Sequence, residues 1–314
     1  MIQDGLTRDQ AAVILRDAVP GAEVVGVQRM SGGDVNGVYE VLCADSGQNA
    51  VVKVYAADAG WRLSKEISVY RILREHGVTK IPQLLAGAGR DSPLEQPYLV
   101  MSRLPGTAAG LLSPELSDAD LRSLYRQMGR LLAQIHAIEQ EAYGYRATEI
   151  LDPQPTSVAA TKSTLARVSK AYLDATEDRD LYEAAHTYVD ARKDLFALCQ
   201  KPVLVHNDFH EGNILVTQTS DGPVVTGLID VENAMAGDPI ADLAKTHSYS
   251  IRDSRTKLDG FFEGYGQIPI EWERRFRLFH LLQGFELWGY FHEVGAFEKL
   301  DVLAADIREL ITEG

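Results

Sequence analysis

Cysteine is nearly absent from the 314 residues. Cys43 and Cys199 are the only two, far apart and without metal-ligand spacing, which argues against a disulfide scaffold or a thiolate zinc site. No uninterrupted apolar stretch approaches the ~18 residues of a membrane span. Met1-Ile2-Gln3-Asp4-Gly5 has neither the basic region nor the apolar core of a signal peptide, so the expectation is a soluble cytoplasmic chain. No basic run interrupts an acidic composition: 45 acids against 31 bases give a formal net charge of −14. Nucleic acid and anionic lipid would be repelled by such a chain, and nothing points to an obligate protein partner. There is no internal repeat, no low-complexity segment, no G-x-G-x-x-G, and no G-x-x-x-x-G-K-[ST].

What is present reads as two domains' worth of ordinary globular chain, 45% apolar and 24% charged. Thr7 to Val19 has helical spacing behind a Thr cap and is stopped by Pro20-Gly21. Val-rich strands are expected at Glu23–Gln28, Val38–Leu42 and Ala50–Tyr55, a helix at Trp61–Glu75, and short strands at Gln83–Ala86 and Tyr98–Met101. Leu104-Pro105-Gly106 then breaks the chain. Beyond it long helices are predicted at Asp118–Ile138, Ser157–Ala175, Asp180–Cys199, Ile240–Ser250 and most of Pro269–Ile311. A strand-like island spans Lys201–Asp230, with a hairpin turn at Ser220-Asp221-Gly222-Pro223. The expected class is α+β, a small mixed lobe over residues 1–102 and a larger, mainly helical lobe over 103–314. Acidity is concentrated in the second: residues 1–102 hold 12 acids and 10 bases, and 103–314 hold 33 and 21.

Chemistry is densest in Leu204-Val205-His206-Asn207-Asp208-Phe209-His210-Glu211-Gly212-Asn213-Ile214-Leu215-Val216. Apolar runs enter and leave a polar loop, holding its side chains on rigid flanks. His-x-Asp followed five residues later by Asn has the spacing of a kinase catalytic loop. There a carboxylate orients the acceptor hydroxyl, and an amide oxygen ligates a hard cation without adding charge that competes with phosphate. Asp230 ends an apolar strand that a hairpin would return beside this loop, as a Mg²⁺-binding carboxylate requires. Asp238 and Asp242, in the Gly-Asp-Pro turn and the helix after it, read as structural residues. Upstream, Lys53 stands in the apolar Val51-Val52-Lys53-Val54-Tyr55, where an ammonium is expensive to bury without an anion. Glu66 is the candidate partner. Ser31-Gly32-Gly33-Asp34 forms a glycine-bearing turn that lets backbone amides approach phosphate.

Together these segments resemble the aminoglycoside phosphotransferase and choline kinase group of small-molecule kinases. The likeness follows the chain in order: glycine turn, Lys53, Glu66, the hinge from Pro97 to Ser102, the His206–Asn213 loop, and Ile229 to Ala244. Unlike in protein kinases, Asp230 is followed by Val231-Glu232 and not by Phe-Gly. The resemblance implies a protein-kinase-like two-lobe fold, ATP (or GTP) and Mg²⁺ as cofactors, and a nucleotide-binding N-lobe. It further implies Asp208 as the catalytic aspartate, Asn213 and Asp230 as metal ligands, and Lys53 with Glu66 as the phosphate anchor. Ser31, Gly32 and Gly33 would approach phosphate, and backbone groups of Ser102 and Leu104 would hold the nucleobase. His206 would brace the loop, while the role of His210 stays open. Asn207 stands where glycine is frequent, and Asp34 brings a negative charge to the phosphate turn.

The acceptor must be read from charge. The acidic second lobe suggests a cationic small molecule, and Phe261–Glu298 supplies a candidate wall in Glu263, Glu271, Glu286, Glu293 and Trp288. The expected activity is O-phosphorylation of an aminoglycoside-type antibiotic. The alternatives are a metabolic kinase of an amino alcohol, sugar or nucleoside, a kinase of another antibiotic class such as a macrolide, and a nucleotide-binding regulator without catalysis.

Overall fold

The computed structural model describes residues 5–30, 36–44 and 49–312. In chain order the elements begin with α1 (Arg8–Ala18), β1 (Glu23–Arg29), β2 (Gly37–Ala44), β3 (Ala50–Val54) and α2 (Gly60–Glu75). They continue with β4 (Leu84–Ala88), β5 (Tyr98–Ser102), β6 (Thr107–Ala108) and a single turn, α3 (Ala109–Leu112). Next come α4 (Asp118–His136), β7 (Tyr143–Arg146), β8 (Ile150–Gln154), α5 (Ser157–Thr176), α6 (Arg179–Asp190) and α7 (Lys193–Phe196). The strands β9 (Val203–Val205), β10 (Ile214–Thr219), β11 (Gly222–Leu228) and β12 (Met235–Gly237) follow. Helices α8 (Ile240–Thr246), α9 (Arg255–Tyr265), α10 (Trp272–Glu293) and α11 (Leu300–Thr312) come last. Two compact units result. One comprises Met1–Glu115, Ala147–Glu149 and Gly212–Glu232; the other comprises Leu116–Arg146, Ile150–Glu211 and Asn233–Gly314.

The first unit is built on an antiparallel sheet in the order β1-β2-β3-β5-β4. Thr7 and Gln10 cap α1 reciprocally, each side chain taking the other's backbone N–H. The helix buries Ala11, Ile14 and Leu15 against Val24, Val41, Val52 and Val100. Because strand side chains alternate, Ala50, Val52 and Val54 join that core and Lys53 is sent to the opposite face. The β10–β11 hairpin closes tightly, with Thr219 paired to Gly222. Gly222 there has φ +107°, a conformation that suits glycine.

The second unit carries a smaller antiparallel sheet, β8-β7-β12-β9, among long helices. Helices α4 and α9 touch backbone to backbone. A Cβ at Gly129 would lie 2.1 Å from the Phe261 carbonyl oxygen, and one at Gly264 would lie 1.9 Å from that of Arg126. Three helical expectations change in detail. The predicted Asp180–Cys199 helix divides into α6 and α7, where Arg192 turns back to lie over the Tyr188 ring at 3.7 Å. The predicted Ile240–Ser250 helix ends at Thr246 and passes into a π-turn over His247–Ile251. Pro269–Ile311 is interrupted after Glu293, with Gly295 at φ +76°.

Candidate active site

In the first unit, β3 delivers Lys53 to a ring of three carboxylates. Its Nζ lies 2.9 Å from Glu66, 3.2 Å from Asp230 and 3.0 Å from Glu232. Burial alone would lower the Lys53 ammonium; Glu66, then Asp230, with Glu232 behind them, outweigh it and hold the group well above its usual value. Glu66 is fully enclosed. Burial lifts its carboxyl, against the opposing pull of Lys53 and of the Tyr55 hydroxyl that donates to it at 2.7 Å. Glu232 also accepts from Asn36 at 2.9 Å and stands 3.8 Å from the Arg62 guanidinium.

The hairpin places the two expected metal ligands side by side. Ile229 N–H donates to the Asn213 carbonyl at 3.0 Å, so Asp230 follows directly beside Asn213. Asp230 has φ +61°, a left-handed conformation that Asp tolerates better than most residues. One amide oxygen and one carboxylate are hard donors of the kind that hold Mg²⁺ together with phosphate oxygens. The ring supports the same fit: one ammonium does not balance three carboxylates, even with Arg62 nearby, and a divalent cation would relieve the excess. At the end of β5, Ser102 N–H donates to Gln83 O at 2.9 Å and Ser102 Oγ accepts from Gln83 N–H at 2.9 Å. The Leu104 carbonyl accepts from the Arg103 guanidinium. Ser31, Gly32, Gly33 and Asp34 lie outside the described residues.

In the second unit, α8 sets the loop that bears Asp208. Asp242 is fully buried and accepts His206 N–H and Asn207 N–H, both at 2.7 Å. It also meets His136 Nε2 at 3.1 Å. Lys245 Nζ donates to the Asn207 carbonyl at 2.9 Å, and Thr246 Oγ1 donates to that of Phe209 at 2.8 Å. Asn207 has φ +61°, which explains why glycine suits this position and why Asn can replace it. His206 is buried with its ring edge-on to Phe209. Farther along, Glu211 accepts from Tyr125 Oη at 2.6 Å and Lys257 Nζ at 3.0 Å, while its N–H donates to Ser250 Oγ at 2.9 Å. Asp238 is structural too: it accepts Ile240 N–H and pairs with buried Arg275.

Asp208 itself is ionised. Burial would raise its carboxyl, but the His210 contact at 3.4 Å, with His206 and Lys245 behind it, holds it below the usual carboxylate value. The π-turn brings Tyr249 edge-on to His210. Burial, then Asp208 and Glu286, push the Tyr249 phenol up to about 12. Beside this loop opens a cavity of about 560 Å³ bordered by Tyr143, Thr161, Arg167, Asn207, Lys245 and Glu286, among others.

Of the predicted acidic wall, Glu286 borders that cavity, 3.4 Å from Lys245. Glu263 instead ties α9 to α4 through Arg122 and Arg126, both at 3.1 Å. Glu271 precedes α10 with φ +55° and pairs with Arg274. Glu293 is exposed at the end of α10. Trp288 is buried between Tyr172 and His292 and borders a different cavity, near α11.

The model of the phosphotransferase enzyme family matches residues 26–278. The chain belongs to that family. A curated relative, viomycin phosphotransferase of Streptomyces vinaceus, is 30% identical over 169 residues, 52% of this chain and 54% of that protein. The chain thus spans about half the length of the curated relative it matches. Among solved structures, aminoglycoside phosphotransferase APH(4)-Ia superposes with a TM-score of 0.72 at 16% identity, covering 98% of this chain and 99% of that one. ADP-bound APH(2'')-Ib gives 0.70 at 18%, covering 97% and 99%. These likenesses establish a shared, protein-kinase-like two-lobe fold.

For this phosphotransferase-family chain, reading the sequence missed three residues: Glu232 beside Lys53 in the first unit, and Lys245 and Tyr249 near the Asp208 loop in the second. Glu232 shares Lys53 with Glu66. Its signal was a second carboxylate two residues after Asp230. Lys245 stands at the end of α8 and Tyr249 four residues on in the π-turn, and nothing local marks a lone Lys or Tyr there as a neighbour of a loop nearly forty residues upstream.

Proposed function

We propose that the chain transfers the γ-phosphoryl group of ATP or GTP to a hydroxyl of a cationic small molecule, an aminoglycoside-type or viomycin-like antibiotic. The observation that carries this reading is buried Lys53 held charged among Glu66, Asp230 and Glu232, an arrangement suited to anchoring phosphate oxygens beside a metal. Asn213 and Asp230 are the residues to hold Mg²⁺, which when bound offsets charge on the β- and γ-phosphates. Asp208 accepts a hydrogen bond from the acceptor hydroxyl and aims its lone pair for in-line attack. Being ionised, it can take the proton as the new oxygen–phosphorus bond forms. Lys53 stabilises the negative charge on the nucleotide side. The acceptor class is supported by the curated relative's name and by a structural neighbour described with ADP and hygromycin B.

The test is transfer of labelled phosphate from ATP or GTP, with Mg²⁺, to a panel of aminoglycosides, viomycin, macrolides, amino alcohols, sugars and nucleosides. Label on a cationic antibiotic is the expected result. Label only on a metabolic acceptor would replace the antibiotic reading, and no transfer to any acceptor would remove the kinase reading.

A further inference from the structure

Resting on the reading of Asp208 as the group that takes the acceptor hydroxyl, we propose that Lys245 is a positioning residue whose ammonium couples the acceptor cavity to the backbone carrying Asp208. Helix α8 holds both polar backbone groups of Asn207. Asp242 accepts its N–H at 2.7 Å, and one turn later Lys245 donates to its carbonyl at 2.9 Å. That carbonyl belongs to the peptide whose N–H is Asp208's own, so tilting this plane re-aims the Asp208 side chain. Asn207 sits at φ +61°, a conformation that persists only where its surroundings impose it.

The two clamps differ in what else they touch. Asp242 is fully enclosed, its further contacts being the His206 N–H and His136. Lys245 borders the cavity, and its Nζ lies 3.4 Å from Glu286, whose side chain is 44% exposed on that cavity. One ammonium therefore serves a loop carbonyl and a carboxylate that an acceptor can reach. Tyr249 reports the same convergence, since Asp208 and Glu286 both act on its phenol. A cationic group of the acceptor that engages Glu286 draws the carboxylate away from Lys245 and leaves the ammonium to Asn207. The clamp on the loop then tightens as the cavity fills. An uncharged acceptor leaves Lys245 shared between its two partners.

The experiment compares Lys245→Met, Lys245→Arg, Glu286→Gln and the Lys245→Met/Glu286→Gln double variant of the full chain, using ATP, Mg²⁺ and viomycin. Amide exchange across residues 206–209 is followed in parallel, with and without viomycin. The expected result is a roughly tenfold to hundredfold fall in kcat for Lys245→Met, with the nucleotide KM unchanged. Lys245→Arg recovers most of the loss, and the double variant falls less than the product of the single ones. Exchange at the loop quickens in Lys245→Met alone among the single variants. A Lys245→Met enzyme with kcat within about twofold of wild type, or one altered only in acceptor KM with unchanged loop exchange, overturns the proposal. If wild type transfers no phosphate to viomycin, a positive acceptor from the wider panel replaces it. If no acceptor works, the Asp208 reading fails on its own, and loop exchange still decides whether Lys245 holds the backbone. Should Lys245→Met not fold, Lys245→Gln, which keeps a donor but loses the charge, takes its place with the same expectations.

Discussion

Lys53 in the first unit and Asp208 in the second face the same difficulty, a charge withdrawn from water, and the chain answers it in opposite ways. Around Lys53 three side chains of opposite sign converge, two of them from a segment nearly 180 residues away. Around Asp208 the side-chain contact is with its own neighbour His210 at 3.4 Å, and most of the order resides in the backbone, pinned by Asp242, Lys245 and Thr246. The first arrangement is electrostatic and surplus in anion; the second is geometric. A site that must gather phosphates and metal is best served by charge, whereas one that must aim a hydroxyl is best served by a fixed backbone.

The comparison can be broken by substitution. The largest effect is expected from Asp208→Asn, which keeps the shape and should lower kcat by about 10²–10⁴-fold while leaving the thermal midpoint near wild type. Steady-state kinetics beside calorimetry separates the two, and a wild-type rate would remove Asp208 from catalysis. Lys53→Met should behave the other way. It strands three carboxylates and should destabilise the fold by roughly 3–5 kcal/mol, visible in urea unfolding, besides weakening nucleotide binding. Unchanged stability would mean that the ring is not holding the unit together.

A smaller effect sharpens the second half. His210→Ala removes the first of the groups that depress the Asp208 carboxyl, so that carboxyl should titrate higher. The acid limb of the kcat/KM profile should move toward neutral pH, and a limb that stays in place would contradict the His210 contact.

The smallest effect concerns Lys65, which has no side-chain exposure and whose ammonium burial pushes down to about 7. Its pKa is lower in the folded than in the unfolded chain, so the stability lost to charging it is fully felt below pH 7. That loss is recovered as pH rises toward the unfolded value. Lys65→Met should therefore stabilise by about 1–2 kcal/mol at pH 6 and by less at pH 9. Equal gains at both pH values would show that Lys65 is not titrating in this range.

Much of the first unit was legible because its signals are local. Alternating Val residues mark β2 and β3, a Thr cap marks α1, and a lone Lys in an apolar strand calls for an anion. The His206–Asn213 loop was legible through its spacing. Helix α9 was not expected at all, since Gly260 and Gly264 count against a helix until α4 is seen pressed against them. Strands β7, β8 and β12, three to five residues long and broken by Gly144 and Pro153, carry too little periodicity to announce a sheet. The acidic wall dispersed for a similar reason: a count of carboxylates does not say which already have arginine partners. Glu263 and Glu271 do.

The glycine contact between α4 and α9 reaches farther than packing. Tyr125 on α4 and Lys257 on α9 both grip Glu211, so the spacing of the two helices sets the jaw that holds the far end of the loop. One methyl group at Gly129 or Gly264 would force the helices apart and open that jaw. The two positions carry no functional group, yet a side chain there would reach Glu211 through the helices that hold it.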